Sequence, residues 1–227
     1  LRRVGYHTAA FVSNFVLVKE LSGLAQGFDI YDDFVDEKEP NRNFYERTGS
    51  HTLGAILKWL DSIPSEPFFL FTNFMDPHGP YRPPENYKKM FQSMKQRELP
   101  EDVIPPYQMY ENSFNYYDYI DRYDGELRFT DAVLGVLIAE LKSRGLWDNS
   151  IIVFTADHGE SFGEHDLYFQ HHLHLWEETI RVPLVLRFPE LFNPKRSSEL
   201  CSPMDLPATL YDYLKINTEI KLDGESL

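Results

Sequence analysis

The side chains best suited to chemistry are acids and imidazoles gathered at two places. Asp157-His158-Gly159 follows closely on the apolar run Ile151-Ile152-Val153-Phe154. A carboxylate beside an imidazole, with a glycine that lets the backbone turn, is a compact pair of ligands for a divalent cation. As an isolated dipeptide it reads better as a helix cap followed by a surface histidine. The neighbourhood favours ligands. Residues 157–174 hold Asp157, His158, Glu160, Glu164, His165, Asp166, His171, His172 and His174, among them five of the chain's 8 histidines. Imidazoles at that density work near neutral pH as ligand, acid or base. The second place is Asp76-Pro77-His78-Gly79-Pro80-Tyr81, just beyond Phe68-Phe69-Leu70-Phe71. Its prolines stiffen the loop, so His78 is aimed, as a general acid or a contact to an oxyanion must be. A turn with an incidental histidine accounts for this segment equally well until both places are considered together.

The elements that must position these groups can be read from periodicity and punctuation. Thr8 to Phe15 reads as a short buried strand, residues 29–47 as an acidic surface loop, and Thr52 to Ile63 as a helix stopped by Pro64. Phe68 to Phe71 reads as a strand buried on both faces. Residues 83–117 form a long excursion rich in Pro and Tyr. Tyr123 to Arg144 is the clearest helix, with Leu127, Leu134, Ile138 and Leu141 on one stripe and Gly145 at its end. Ile151 to Phe154 and Val182 to Leu186 are further strands, and Asp205 to Leu214 is a closing amphipathic helix with Asp205 as N-cap. The alternation predicts an α/β fold with a mostly parallel central sheet flanked by helices. Ligands in such sheets collect at the carboxyl ends of strands. His78, Asp157, His158 and either His171 or His172 are therefore expected around one crevice.

Composition narrows the function classes. The 227 residues carry 22 basic and 36 acidic side chains, a formal charge of −14, which argues against a nucleic-acid binder. Mean hydropathy is −0.42 and no 18-residue stretch is apolar throughout, so no membrane span is expected. The single cysteine, Cys201, excludes an internal disulfide and a Cys-based zinc site, and is expected to be a small buried residue. Leu1 to Val4 reads as the tail of a helix stopped by Gly5. The chain is expected to be one catalytic domain, residues 1–227, incomplete at its N-terminus.

Several segments, taken in order, resemble the sulfatase family of the alkaline phosphatase superfamily. They are Gly5-Tyr6-His7-Thr8-Ala9, the run from Phe74 to Pro84 with Asp76-Pro77-His78-Gly79-Pro80-Tyr81 at its centre, Tyr123-Asp124-Gly125-Glu126, and Gly145-Leu146-Trp147-Asp148-Asn149-Ser150. Thr155-Ala156-Asp157-His158-Gly159-Glu160 with Gly163-Glu164-His165, Trp176-Glu177-Glu178, Arg181-Val182-Pro183-Leu184 and the stretch from Met204 to Leu210 complete the series. Singly each match is weak; their order makes them specific.

The resemblance implies that Asp157 and His158 coordinate a divalent cation, Ca2+ in most sulfatases, with Mn2+ or Zn2+ as alternatives because of the imidazole. His78 would contact the sulfate or protonate the leaving oxygen, and His171 or His172 would sit against the same ester. His174 is a weaker candidate, and His165 is expected to be packed within the loop. The family nucleophile is a Cys or Ser in a Cys/Ser-x-Pro-x-Arg motif, oxidised to formylglycine, and is expected upstream of Leu1. Cys201-Ser202-Pro203-Met204-Asp205 has Asp205 where the motif has Arg, which removes Cys201 as nucleophile. The implied activity is hydrolysis of a small-molecule or saccharide sulfate ester, with this fragment inactive by itself. A phosphodiesterase, phosphonate hydrolase or phosphoethanolamine-type transferase is the alternative within the superfamily, and a non-catalytic binding module the alternative from another class. Oligomeric state and compartment are left unspecified.

Overall fold

The computed structural model describes residues 1–41, 44–63, 67–171, 174–189 and 194–227. In chain order its main elements are β1 His7–Val12, β2 Ile30–Asp32, α1 Gly49–Leu60, β3 Phe68–Asn73, α2 Tyr116–Ser143, β4 Ile152–Thr155, β5 Ser161–Phe162, β6 Tyr168–Gln170, β7 Leu184–Arg187 and α3 Asp205–Tyr213. The chain separates into two compact units. One comprises Leu1–Trp147 and His158–Arg181, the other Asp148–Asp157 and Val182–Leu227.

The first unit is built on a parallel sheet in the order β2-β1-β3. β1 runs beside β3 in unbroken register, from His7 opposite Phe68 to Val12 opposite Asn73. Thr8 to Val12 are buried in succession, which a strand shows only when both its faces are covered. β3 departs from the expectation of burial on both faces. Its residues are half-buried and Phe71 is 38% exposed, because among the described residues β3 pairs on one side only. The expected loop at 29–47 also needs correction. Ile30–Asp32 joins the sheet, anchored where the Asp29 carboxylate accepts hydrogen bonds from the Thr8 backbone and hydroxyl at 2.9 and 3.0 Å. A three-residue strand is too short to show a period.

Helix α1 lays Leu53, Ile56, Trp59 and Leu60 inward, and the Trp59 ring meets Phe68 edge-on at 5.5 Å, which seats the helix on the sheet. Helix α2 begins seven residues before its expected start, at the Asn115 cap, whose side chain accepts from Tyr117 N. Its buried stripe is also rotated from the expected one. Phe129, Val133, Leu137 and Leu141 face inward, whereas Leu127 is 43% exposed. Towards its N-terminus the same face buries Arg122 and Glu126, polar residues that a hydrophobic pattern does not pick out. The excursion at 83–117 is packed rather than free. Leu99 and Ile104 join Tyr81, Tyr119, Tyr168 and Phe169 in an aromatic core, and the buried Gln108 donates to Phe169 O at 2.9 Å. Arg97 lies over the Tyr116 and Tyr168 rings, 4.7 and 5.6 Å from their centroids. This core holds the β5–β6 hairpin, whose turn uses Gly163 at φ 114, where a Cβ would strike the Tyr168 ring.

In the second unit β4 and β7 pair antiparallel, from Ile152 opposite Arg187 to Thr155 opposite Leu184. The strand expected at Val182–Leu186 is present but runs opposite to its neighbour, since an apolar run carries no record of direction. Asp205 is the first residue of α3, not its cap; its carboxylate accepts from Ser202 N at 2.7 Å and Glu225 N at 3.0 Å. Cys201 is exposed, contrary to the expected burial, because it lies in an open stretch before α3. Among the described residues no helix is long and apolar enough to cross a membrane.

Candidate active site

The segment after β3 is held from three sides. The Asp76 carboxylate accepts from Gly49 N at 2.9 Å, at the start of α1, where the helix dipole favours negative charge. The Thr130 hydroxyl donates to Asp76 O at 3.0 Å. One α2 turn away, the Glu126 carboxylate accepts from His78 N at 3.2 Å and from Arg82 N. Gly125 lets the loop press onto α2, since a Cβ there would lie 2.9 Å from the Pro83 ring. His78 is thereby fixed through its own backbone. Below it is a cavity of about 100 Å³ lined by Glu37, Glu46, Thr48, Met75, Asp76, His78, Arg82 and Glu126. Burial raises Glu46, Asp76 and Glu126 in this lining. Glu46 is pushed up to about 7 by burial and by the charges of Glu39 and Asp76. Asp76 is raised by burial, and Glu126 is raised well above the usual carboxylate range by burial and then by Asp76.

The second segment comes from the hairpin. Gly159 N donates to Thr179 O at 2.8 Å, and a Cβ on Gly159 would lie 2.1 Å from Glu178 O, so only glycine fits there. That close approach sets the directions of the residues on either side. The His158 ring stacks on the His171 ring with centroids 3.7 Å apart and planes 17° from parallel. His78 approaches the same ring from the other loop, at 5.9 Å between centroids. His158 Nδ1 lies 2.8 Å from Gly159 O; as a carbonyl only accepts, Nδ1 carries the hydrogen and Nε2 is the nitrogen with ligand character. Three imidazoles from two loops thus meet in one place, a set that can bind an anion, pass a proton or present nitrogen to a metal.

A family model described as Sulfatase matches residues 1–216. The chain belongs to the sulfatase family. Among curated relatives, the ulvan-active sulfatase of Formosa agariphila is 29% identical over 166 residues, which cover 71% of this chain and 31% of that protein. An arylsulfatase of Clostridium perfringens is 28% identical over 184 residues, 72% of this chain and 37% of that protein. The chain thus spans about a third of the length of these relatives. Among solved structures, the phosphonate monoester hydrolase of Agrobacterium radiobacter superposes with a TM-score of 0.76 at 20% identity, over 100% of this chain and 59% of that one. A protein solved with its substrate D-glucosamine-2-N,6-O-disulfate gives 0.73 at 18% identity, over 100% of this chain and 62% of that one. At those identities the two solved structures share the fold.

The structure gathers His78, His158 and His171, while His172 lies outside the described residues. Asp157 is the exposed last residue of its stretch in the second unit. His174 stacks on Trp176 at 4.3 Å. His165 is not packed inside the loop as expected. It lies against Trp176 at 3.9 Å with its side chain 54% exposed, because a left-handed turn at φ 55 carries it outward. Among the described residues one group brings three metal-type ligand atoms within 4.8 Å of one another, Asp36, Glu37 and His51; it is open to solvent and was not anticipated. Sequence reasoning gave no role to Glu126 or Glu160, which hold His78 and His171. The signals for Glu126 were its place in the Tyr123-Asp124-Gly125-Glu126 segment and the preceding Gly125, a helix-weakening residue whose place in α2 demands a reason.

Proposed function

We propose that this protein is a metal-dependent sulfuric ester hydrolase acting on a sulfated saccharide or a smaller sulfate ester. The observation that carries the reading is the convergence of His78, His158 and His171 within a chain of the sulfatase family. Relatives named as an ulvan-active sulfatase and an N-acetylglucosamine-6-O-sulfatase support a saccharide substrate. Asp157 and His158, neighbours in the chain, would hold the cation through a carboxylate oxygen and Nε2. Ca2+ is the first expectation, and the imidazole admits Mn2+ or Zn2+. A bound cation would offset negative charge on the ester oxygens. His78 either contacts a sulfuryl oxygen or gives a proton to the leaving oxygen, and His171 or His172 faces the same group. No Cys or Ser of the 227 residues stands in a Cys/Ser-x-Pro-x-Arg motif, so a formylglycine nucleophile would come from outside them. The test is turnover of an aryl sulfate by the full-length protein with added Ca2+, Mn2+ or Zn2+. Turnover that needs a cation and is lost in His78→Ala supports the reading. Faster turnover of an aryl phosphonate than of the sulfate would move the assignment to the phosphonate-hydrolase branch, whose fold this chain also shares.

A further inference from the structure

The register of the hairpin has a consequence beyond its two strands. Ser161 pairs with Gln170, so the residues one step outside the ladder, Glu160 and His171, face each other. One oxygen of Glu160 lies 3.3 Å from His171 Nδ1, and the other accepts a hydrogen bond from the Tyr81 phenol at 3.0 Å. The set is shielded: the Glu160 and His171 side chains are 9% and 16% exposed, and Tyr81 is 1% exposed. Tyr81 is immobilised edge-on against Tyr123 at 5.4 Å and Phe169 at 6.4 Å. Burial and the adjacent Glu160 push its phenol well above the usual tyrosine range, so it stays a donor. The oxygen that faces His171 Nδ1 is a hydrogen-bond acceptor, and the contact is made when Nδ1 carries the hydrogen; in the neutral ring that leaves the lone pair on Nε2. The stacked His158 ring covers one face of His171 and opposes a flip.

We propose that Glu160 is a positioning residue: anchored by Tyr81, it holds His171 as the Nδ1–H tautomer and turns Nε2 towards the group that His78 and His158 also approach. A buried phenol at position 81, a carboxylate at 160 and an imidazole at 171 then act as one chain of hydrogen bonds, with only the last member meeting the ester. The proposal rests on the reading of His171 as a residue that faces the ester. It accounts for a carboxylate that would otherwise be nearly buried beside an aromatic core, where a charge without partners is costly.

The test uses the full-length protein with 15N-labelled histidine. Long-range proton–nitrogen correlation reads the tautomer of His171, its signals being those that vanish in His171→Ala. Wild type is expected to show Nδ1–H. Glu160→Met, similar in length but unable to accept, is expected to shift His171 towards Nε2–H. It should also lower kcat on an aryl sulfate about 10–100-fold, the usual effect of losing such a partner, with KM little changed. Glu160→Asp should restore part of both. Glu160→Leu, which also lacks an acceptor, serves if Glu160→Met fails to fold. Tyr81→Phe leaves the carboxylate in place, so it should keep Nδ1–H and lower kcat less than Glu160→Met. An unchanged tautomer in Glu160→Met or, where that variant does not fold, in Glu160→Leu overturns the positioning role whatever the activity. A shifted tautomer together with full activity in His171→Ala overturns the assignment of His171 to the ester.

Discussion

Removing the Glu126 carboxylate is expected to release the loop that carries His78. Glu126 is 3% exposed and serves two backbone donors, His78 N and Arg82 N. Each buried donor left unsatisfied costs about 1–3 kcal/mol. Glu126→Ala should therefore lower stability by about 2–6 kcal/mol, towards the lower end where water enters the space. Glu126→Gln keeps one acceptor and sets an N–H against the other donor, which costs about 1–2 kcal/mol. The pH dependence has a definite sign. Burial and the Asp76 charge raise the folded Glu126 well above its ordinary value of 4.5, so the folded state binds this proton more tightly than the unfolded state. Its stabilising contribution is complete below about 4.5 and is lost as pH rises through the folded value. The Gln variant does not titrate, so its deficit against wild type should shrink with rising pH. Activity follows because displacing a reacting group by 1 Å costs on the order of 100-fold, so Glu126→Ala should lower kcat about 10–100-fold. Urea unfolding, followed by the fluorescence of the 3 tryptophans, and turnover of an aryl sulfate read the two effects. In a His78→Ala background the further loss of kcat on removing Glu126 should vanish. Stability within about 0.5 kcal/mol of wild type, or a kcat loss that persists undiminished without His78, would refute the reasoning.

Gly159→Ala places a methyl 2.1 Å from Glu178 O, so it should cost about 1–3 kcal/mol in unfolding measurements and separate the His158 and His171 rings in a crystal structure of the variant. Glu46, partly exposed, is raised from 4.5 to about 7, so its stabilising contribution is present below about 4.5 and is lost as pH rises through about 7. At 1.36 kcal/mol per decade that is at most about 3 kcal/mol; with solvent screening, Glu46→Gln should be more stable than wild type by about 1–2 kcal/mol at pH 8, and the gain should be gone at pH 4. Calcium should raise the melting temperature of the full-length protein, and Asp157→Ala and His158→Ala should each reduce that rise; an equal rise in all three would remove both residues as ligands.

How much of this was legible in the residues differs from element to element. β1, α1, β3 and α2 announced themselves by apolar runs and by helical spacing, because burial selects residue type at every position of a long element. The His-rich loop stood out because it holds five of the 8 histidines, and the Asp76–Tyr81 loop because Pro77 and Pro80 flank His78 directly after an apolar strand. β2 did not, being three residues in an acidic stretch, and the direction of β7 did not, because pairing is decided by the partner strand. The buried face of α2 was misjudged for a physical reason. Arg122 and Glu126 are buried there because other loops supply their partners, and polarity alone argued for solvent. The site divides in the same way. That His78, His158 and His171 are suited to acid, base or ligand chemistry belongs to their side chains and was available from the sequence. Which nitrogen each can present depends on a carbonyl at Gly159, a carboxylate at Glu160 and a phenol at Tyr81. Tyr81 lies 90 residues from His171 in the chain, and its contact with Glu160 exists only once the aromatic core has closed. Residue identity determined the chemistry that is possible; long-range packing decided the orientation in which it is offered, because hydrogen bonds depend on distance and angle and neither is written along the chain.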